Sequence, residues 1–166
     1  MSSKGLKIRG AKIEDCAILA RFSAALNAAD GNPTDLFTAE WAASICFGSN
    51  AKLAALIAEW DGAPAGFALF HDAINTGFAQ SGVYLNDLYV DPAYRRRGLG
   101  RALIGCVAAV TRSCGRSFVW WTVKPANAEG LAFYRALGAV AEPVVSHAVA
   151  FGPFEALANE GREILS

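Results

Sequence analysis

The chain has 166 residues, with 15 Lys+Arg against 15 Asp+Glu, two His and four Cys, and it is 54% hydrophobic but only 18% charged. That composition describes a globular domain able to bury a sizeable core, and the formal net charge of zero removes any general electrostatic reason to bind nucleic acid or an anionic membrane. Recognition of phosphate therefore has to come from a local cluster, and the partners expected are small molecules.

No stretch approaches the roughly 18 consecutive apolar residues of a spanning helix. The longest candidate is residues 102–110, and Met1-Ser2-Ser3-Lys4-Gly5 leads into a strand-like run without a secretory apolar region. The address expected is the cytoplasm. No internal repeat or low-complexity linker interrupts the pattern, so residues 1–166 read as one domain.

In chain order, residues 6–9 alternate apolar and basic side chains as a short strand does, and residues 13–28 place Ile13, Ala17, Leu19, Ala20, Ala24 and Leu26 on one helical stripe. After the Gly31-Asn32-Pro33 break, Thr38 is the expected N-cap of a second helix running to Phe47 and stopped by Gly48. Residues 51–60 and 63–70 form two apolar runs joined by Asp61-Gly62, a dipeptide that favours a tight hairpin because both positions tolerate positive φ. Residues 83–90 read as a long strand, 99–114 as a helix closed by Gly115, 118–123 as a strand, and 128–137 as a helix ended by Gly138. The tail adds strands near 140–145 and 147–151 and a last helix from Pro153. The expected fold is α+β (mixed α/β), with one central sheet of about seven strands covered by helices.

Cys16, Cys46, Cys106 and Cys114 form no CxxC pair and read as small buried hydrophobes, so no metal site is expected. His71 and His147 are too far apart to suggest a metal pair by spacing; both read as structural, with His71 at a strand end open to a place in a substrate pocket. Trp120 and Trp121 must face opposite sides of their strand. The apolar, charge-poor composition points to surface that a second copy of the chain is expected to cover, making a homodimer.

The chemically informative stretch runs from Asn86 through Asp87-Leu88-Tyr89-Val90-Asp91-Pro92 to Arg95-Arg96-Arg97-Gly98-Leu99-Gly100-Arg101-Ala102, a strand followed by a basic, glycine-bearing loop that opens into a helix. A helix N-terminus carries about half a positive charge and several unpaired N–H groups, so placing Arg95, Arg96, Arg97 and Arg101 there is unfavourable unless an anion binds. Gly98 and Gly100, lacking Cβ, let a pyrophosphate approach the backbone closely. The competing reading is a solvated basic loop. The pattern lacks the GxGxxG of a dinucleotide fold and the GK[ST] of a P-loop, since Arg101-Ala102 follow Gly100.

Together these residues resemble the GNAT superfamily of acetyl-coenzyme A-dependent N-acetyltransferases. Arg95-Arg96-Arg97-Gly98-Leu99-Gly100 follows Tyr89-Val90-Asp91-Pro92 as in that family's cofactor motif, and Asn127, Ala132-Phe133-Tyr134 and Leu137-Gly138 match its later segment. The resemblance implies a mostly antiparallel twisted sheet and acetyl-CoA as cofactor. It implies that the backbone of Leu88, Tyr89 and Val90 pairs with the pantetheine arm like an added strand, and that Arg95, Arg96, Arg97, Gly98, Leu99, Gly100, Arg101 and Ala102 hold the pyrophosphate. Asn127 is similar to a residue that touches the pantetheine, although an Asn there also reads as a helix N-cap. Tyr134 resembles the family's general acid.

The segments around Tyr84 to Val90, Trp121 to Val123 and Ala132 to Ala139 look like the diamine and thialysine acetyltransferase branch. Where that branch has a Glu-Asp pair on the strand, this chain has Asn86-Asp87, and its early loop carries Asp30, Asn32 and Pro33. The reaction implied is direct attack of a small primary amine (a diamine, an amino acid or similar) on the thioester. Freeing an alkyl amine's lone pair at pH 7 costs about 4.6 kcal/mol given a pKa near 10.4, so a base is needed; Asp87 is the expected base, with Asp30 and Asp72 as alternatives. Tyr134, a phenol with a reference pKa near 10, can protonate the departing thiolate. Two other readings stay open: acetylation of a protein N-terminus or lysine, and a non-catalytic acyl-CoA sensor. The acceptor pocket is expected from residues 28–37 and 71–82.

Overall fold

The computed structural model describes residues 5–165; Met1 to Lys4, read above as leading into the first strand, and Ser166 lie outside the described residues. The described chain forms two compact units, Met1–Lys124 and Pro125–Ser166.

The first unit runs β1 (Leu6–Gly10), a 3-10 turn (Ile13–Asp15), α1 (Cys16–Asp30), α2 (Ala39–Cys46), β2 (Ala54–Trp60), β3 (Ala63–Asn75), β4 (Gln80–Val90), a second 3-10 turn (Pro92–Tyr94), α3 (Leu99–Ser113) and β5 (Phe118–Trp120). The strands lie in the order β1-β2-β3-β4-β5. Every pairing is antiparallel except β4 with β5. This is the α+β class that the residue patterns imply.

Local chemistry accounts for the boundaries. Asp61 and Gly62 both sit at positive φ, 50° and 82°, which matches the right-handed twist of the β2–β3 hairpin they close. Thr38 Oγ1 accepts the Trp41 N–H at 3.1 Å and so starts α2. Arg9 on β1 donates to Asp15 at 2.6 Å and to Glu59 of β2 at 2.6 Å, tying the first turn to the sheet.

Two apolar layers hold the sheet between helices. On one face Leu99, Leu103 and Val107 of α3, spaced four residues apart, pack on Leu56, Ala58, Ala68, Phe70, Val83 and Leu85. On the other, Leu19 and Phe22 of α1 and Ala42 of α2 pack on Ile57, Phe67, Leu69 and Tyr89. Each fully buried Leu or Phe contributes about 1.5–3 kcal/mol relative to exposure, so both faces of the sheet are fixed before any loop is considered. All four cysteines are free. Burial pushes the Cys46 thiol up to about 11 and raises Cys16 as well, which leaves both poor nucleophiles.

The second unit holds α4 (Ala128–Leu137) and α5 (Phe151–Ile164). The strands expected near 140–145 and 147–151 do not form: residues 139–150 are neither helix nor strand, and the described residues contain five strands where about seven were expected. Val140, Val144, Val145 and Val149 supply β-branched side chains but are exposed. Strand preference is realised only against a neighbouring strand, and among the described residues this segment pairs with none. The strand expected over 118–123 likewise shortens to Phe118–Trp120, whereas β3 and β4 extend into a longer hairpin than the apolar pattern marks.

Candidate active site

The strand β4 organises the site. β5 pairs with it only over Gly82–Tyr84, ending at Tyr84↔Trp120, while β4 continues from Leu85 to Val90 against β3 alone. The sheet therefore opens beyond Tyr84 and leaves one edge of Leu85 to Val90 without a strand partner among the described residues. An extended ligand can pair with such an edge. Side chains hold the far wall in place of a ladder: the Tyr84 and Thr122 hydroxyls share a 2.8 Å hydrogen bond, and Lys124 Nζ donates to the Asp30 carbonyl at 3.0 Å.

A β-bulge sets which side chains face which way. Leu69 lies opposite Asp87 and Phe70 opposite Leu85, so Asn86 is the extra residue. The bulge changes the phase of the strand, aligning Asp87 and Tyr89 with the α1/α2 side and Leu88 and Val90 with the α3 side. The Tyr89 ring is buried 5.5 Å from Phe22 and 6.4 Å from Phe67; what it can offer an outside ligand is backbone. Asp87 is half-buried. Desolvation, reinforced by the Asp30 charge at the end of α1, pushes its carboxyl up to about 6. The negative end of α1 and two carboxylates thus meet near the bulge, which favours a bound cation.

Beyond β4 the chain turns through Arg95, Arg96 and Arg97 into α3. Gly98 is the N-cap at φ 87°, has no side chain with which to cap, and an added Cβ there would meet nothing within 4 Å. The first helical bond is Ala102 N–H to the Gly98 carbonyl, so the N–H groups of Leu99 and Gly100 have no partner within the helix. No acidic residue occupies this first turn. Uncapped donors, an open approach at Gly98 and a cationic loop fit a pyrophosphate, and the neighbouring open edge fits an extended amide-bearing arm; the donor set therefore suits coenzyme A.

The arginines differ in their commitments. Arg95 Nε donates to the Val90 carbonyl at 3.0 Å. The Arg97 guanidinium lies 5.1 Å from the Trp60 ring centre and 5.7 Å from that of Tyr94, within cation–π range. Arg96 sits at φ 60°. The Leu99 side chain is buried under the sheet, which roots the start of α3.

An open depression of about 560 Å³ lies on the α2 side, lined by Trp41, Ile45, Lys52, His71, Asp72 and Asn86 among others. His71 Nδ1 donates to Asn86 Oδ1 at 2.7 Å. Asp72, one of the acids considered from the sequence as a base, is paired instead: Arg116 Nη2 donates to it at 2.6 Å. Trp120 is 55% exposed and meets the Tyr84 ring edge-on at 5.3 Å, while Trp121 packs on the α3 side.

In the second unit, Asn127 is the N-cap of α4, its Oδ1 accepting the Gly130 N–H at 2.8 Å, and Gly138 closes the helix at φ 86°. Tyr134 is a half-buried residue of that helix with its ring 5.2 Å from Phe133. The strand and loop residues Asp87 to Val90 and Arg95 to Ala102 are brought together by β4 and α3. Trp60 and Lys124 join that region with no motif in the sequence to mark them, beside Asp30, which the sequence offers as an alternative base.

The sequence pattern of the Acetyltransferase (GNAT) family matches residues 22–139, and the chain belongs to that family. Among curated proteins it is 35% identical over 75 residues to the L-ornithine N5-acetyltransferase of Arabidopsis thaliana, covering 45% of this chain and 33% of that protein. It is 37% identical over 71 residues to the thialysine N-epsilon-acetyltransferase of Caenorhabditis elegans, 43% of this chain and 44% of that one. It is 34% identical over 77 residues to the ribosomal protein bS18 alanine N-acetyltransferase of Escherichia coli, 43% and 52% respectively. The chain thus spans from a third to about half of the length of these relatives. An integron cassette protein from the mobile metagenome of V. cholerae shares the fold, with a TM-score of 0.78 at 18% identity over 94% of this chain and 99% of that one. Among the described residues no helix is long and apolar enough to cross a membrane.

Proposed function

We propose that the protein transfers acetyl from acetyl-CoA to a primary amine of a small molecule by direct attack. The observation that carries this reading is the open edge of β4 running into an uncapped, arginine-flanked start of α3, in a chain of the GNAT family. Acetyl-CoA supplies an activated acyl carbon, whose C–S bond breaks as the C–N bond to the amine forms.

The chain's own residues have separable tasks. Leu88, Tyr89 and Val90 offer backbone along the open edge, and the turn from Arg95 to Ala102 binds phosphate through uncapped N–H groups and cations. Asp87 attracts the ammonium together with Asp30 and takes its proton; a carboxyl poised at about 6 is mostly ionised at pH 7 and a better base than an ordinary aspartate. Tyr134 donates the proton that the thiolate needs, and Asn127 sets the start of the helix that carries it. Cys16 and Cys46, whose thiols burial raises, give no support to an acyl-enzyme route.

A small amine with one or two cationic centres is the acceptor class we favour, from the meeting of Asp87, Asp30 and the α1 terminus and from likeness to proteins named for ornithine and thialysine. The depression beside His71 and Asn86 provides room for the rest of such a molecule. Likeness to a ribosomal-protein alanine N-acetyltransferase supports a protein N-terminus as the second reading. The free cysteines suit the reducing cytoplasm, and the exposed apolar side chains of residues 140–165 suit coverage by a second copy, which sedimentation measures.

The deciding experiment follows thiol release from acetyl-CoA with diamines, amino acids bearing side-chain amines, and peptides. Turnover is expected with the first two groups. Peptide-only turnover selects the second reading, and binding of acetyl-CoA with no turnover in any group leaves a sensor.

A further inference from the structure

We infer that Arg97, gripped by Trp60 and Tyr94, is a positioning residue that holds the phosphate-binding turn in shape, and not a direct partner of the ligand's charge. The inference rests on the reading of Arg95 to Ala102 as the coenzyme A grip.

Three facts converge on it. The Arg97 guanidinium is within cation–π distance of two rings, 5.1 Å from Trp60 and 5.7 Å from Tyr94. Those rings come from separate parts of the unit, Trp60 from the end of β2 and Tyr94 from the 3-10 turn after β4, and both pack on the α3-side core. The grip therefore fastens an otherwise exposed loop to the rigid sheet. Third, Arg96 occupies the left-handed region at φ 60° without being glycine, a state that persists only where its surroundings over-determine it. Its neighbours provide that constraint: Arg95 is tied to the Val90 carbonyl at 3.0 Å, Arg97 is tied to the rings, and Gly98 follows at φ 87°.

With both neighbours anchored, the Arg96 peptide and the N–H groups after Gly98 are held in one arrangement before a ligand arrives. Binding then orders less chain, which raises affinity without any added contact. On this account Trp60, which no phosphate needs to touch, matters as much as the arginine it holds.

The test is a double-mutant cycle read by calorimetry with coenzyme A as titrant. Trp60→Leu and Arg97→Gln are each expected to weaken binding about ten-fold, the double variant no further, and Trp60→Phe is expected to stay within about two-fold of wild type. The dependence of affinity on salt in Arg97→Gln is expected to match wild type, because no ion pair to phosphate is lost. Additive losses, a much larger loss for Arg97→Gln than for Trp60→Leu, or a flattened salt dependence would make Arg97 a charge partner and overturn the inference; so would wild-type affinity in both single variants. If Trp60→Leu melts early in the absence of ligand, Tyr94→Leu takes its place in the cycle. Gly98→Glu separates the two levels: retained coenzyme A affinity there removes the phosphate turn itself, whereas lost affinity there with an unchanged Arg97→Gln removes only the clamp.

Discussion

Asp87, proposed above as the base, has its protonation altered by the fold. Its native carboxyl, pushed up to about 6 from 3.8 by desolvation and by Asp30, holds its proton to a higher pH than the unfolded one. The native state therefore binds more protons between pH 4 and 6, and stability falls as pH rises through that window. Asp87→Asn is expected to stabilise the protein by on the order of 1–3 kcal/mol at pH 7, and by nothing below pH 4; urea unfolding at the two pH values measures it. The same substitution should lower kcat/KM and abolish the decline of rate below about pH 6 that is expected of the wild type. Tyr134→Phe is expected to keep coenzyme A affinity while cutting turnover by roughly 100-fold, read by calorimetry beside a rate assay. Both residues were visible in the sequence as residue types in a motif. The raised carboxyl was not, because it depends first on burial in the packed structure and then on Asp30 arriving from the end of a different element.

The opening between β4 and β5 is a property of two elements and has its own chemistry. Gly82 lets β5 approach: an added Cβ would lie 2.4 Å from the Phe118 carbonyl oxygen, and backbone cannot yield as a side-chain tip can. Gly82→Ala is expected to destabilise the protein by about 1–3 kcal/mol and to loosen the short parallel ladder, checked by denaturant unfolding and by amide exchange at Val83 and Val119. Arg9 likewise serves two elements, holding Asp15 and Glu59 together. Arg9→Ala leaves two part-buried carboxylates without their shared guanidinium and is expected to cost about 2–3 kcal/mol at pH 7, a loss that acidification below the ordinary carboxylate range relieves because Asp15 is held low chiefly by the Arg9 hydrogen bond. Turn chemistry made most element limits legible: Thr38, Asp61-Gly62, Gly115 and Gly138 all stand where the chain starts or stops an element. The bulge at Asn86 was not legible, since an extra residue in a strand shows only when its partner strand is present.

Both apolar clusters of the described residues draw their members from residues 6–121, within the first unit. A chain ended at Lys124 is expected to unfold cooperatively with its helix and strand signals retained, monitored by circular dichroism, while losing turnover with the Tyr134 it lacks. Loss of cooperativity in that fragment would mean that the second unit supplies core the clusters do not reveal. The apolar run from Val140 to Val149 taught the opposite lesson about the sequence. Its composition suits strands, but a strand is a relation between two chains of hydrogen-bonding groups, and one partner cannot be read from the other.

The residues by themselves determined the order of elements as far as α4, the two apolar faces of the sheet, and the arginine-glycine turn that begins α3, because periodicity, caps and helix-end electrostatics act over a few neighbouring positions. Tertiary structure alone decided where β5 leaves β4, that Asp30 raises Asp87, that Asp72 is spent on Arg116, and that Trp60 and Tyr94 grip Arg97. Each of these joins groups far apart along the chain, and the energies involved, desolvation, Coulomb interaction and ring stacking, depend on distances that only packing sets.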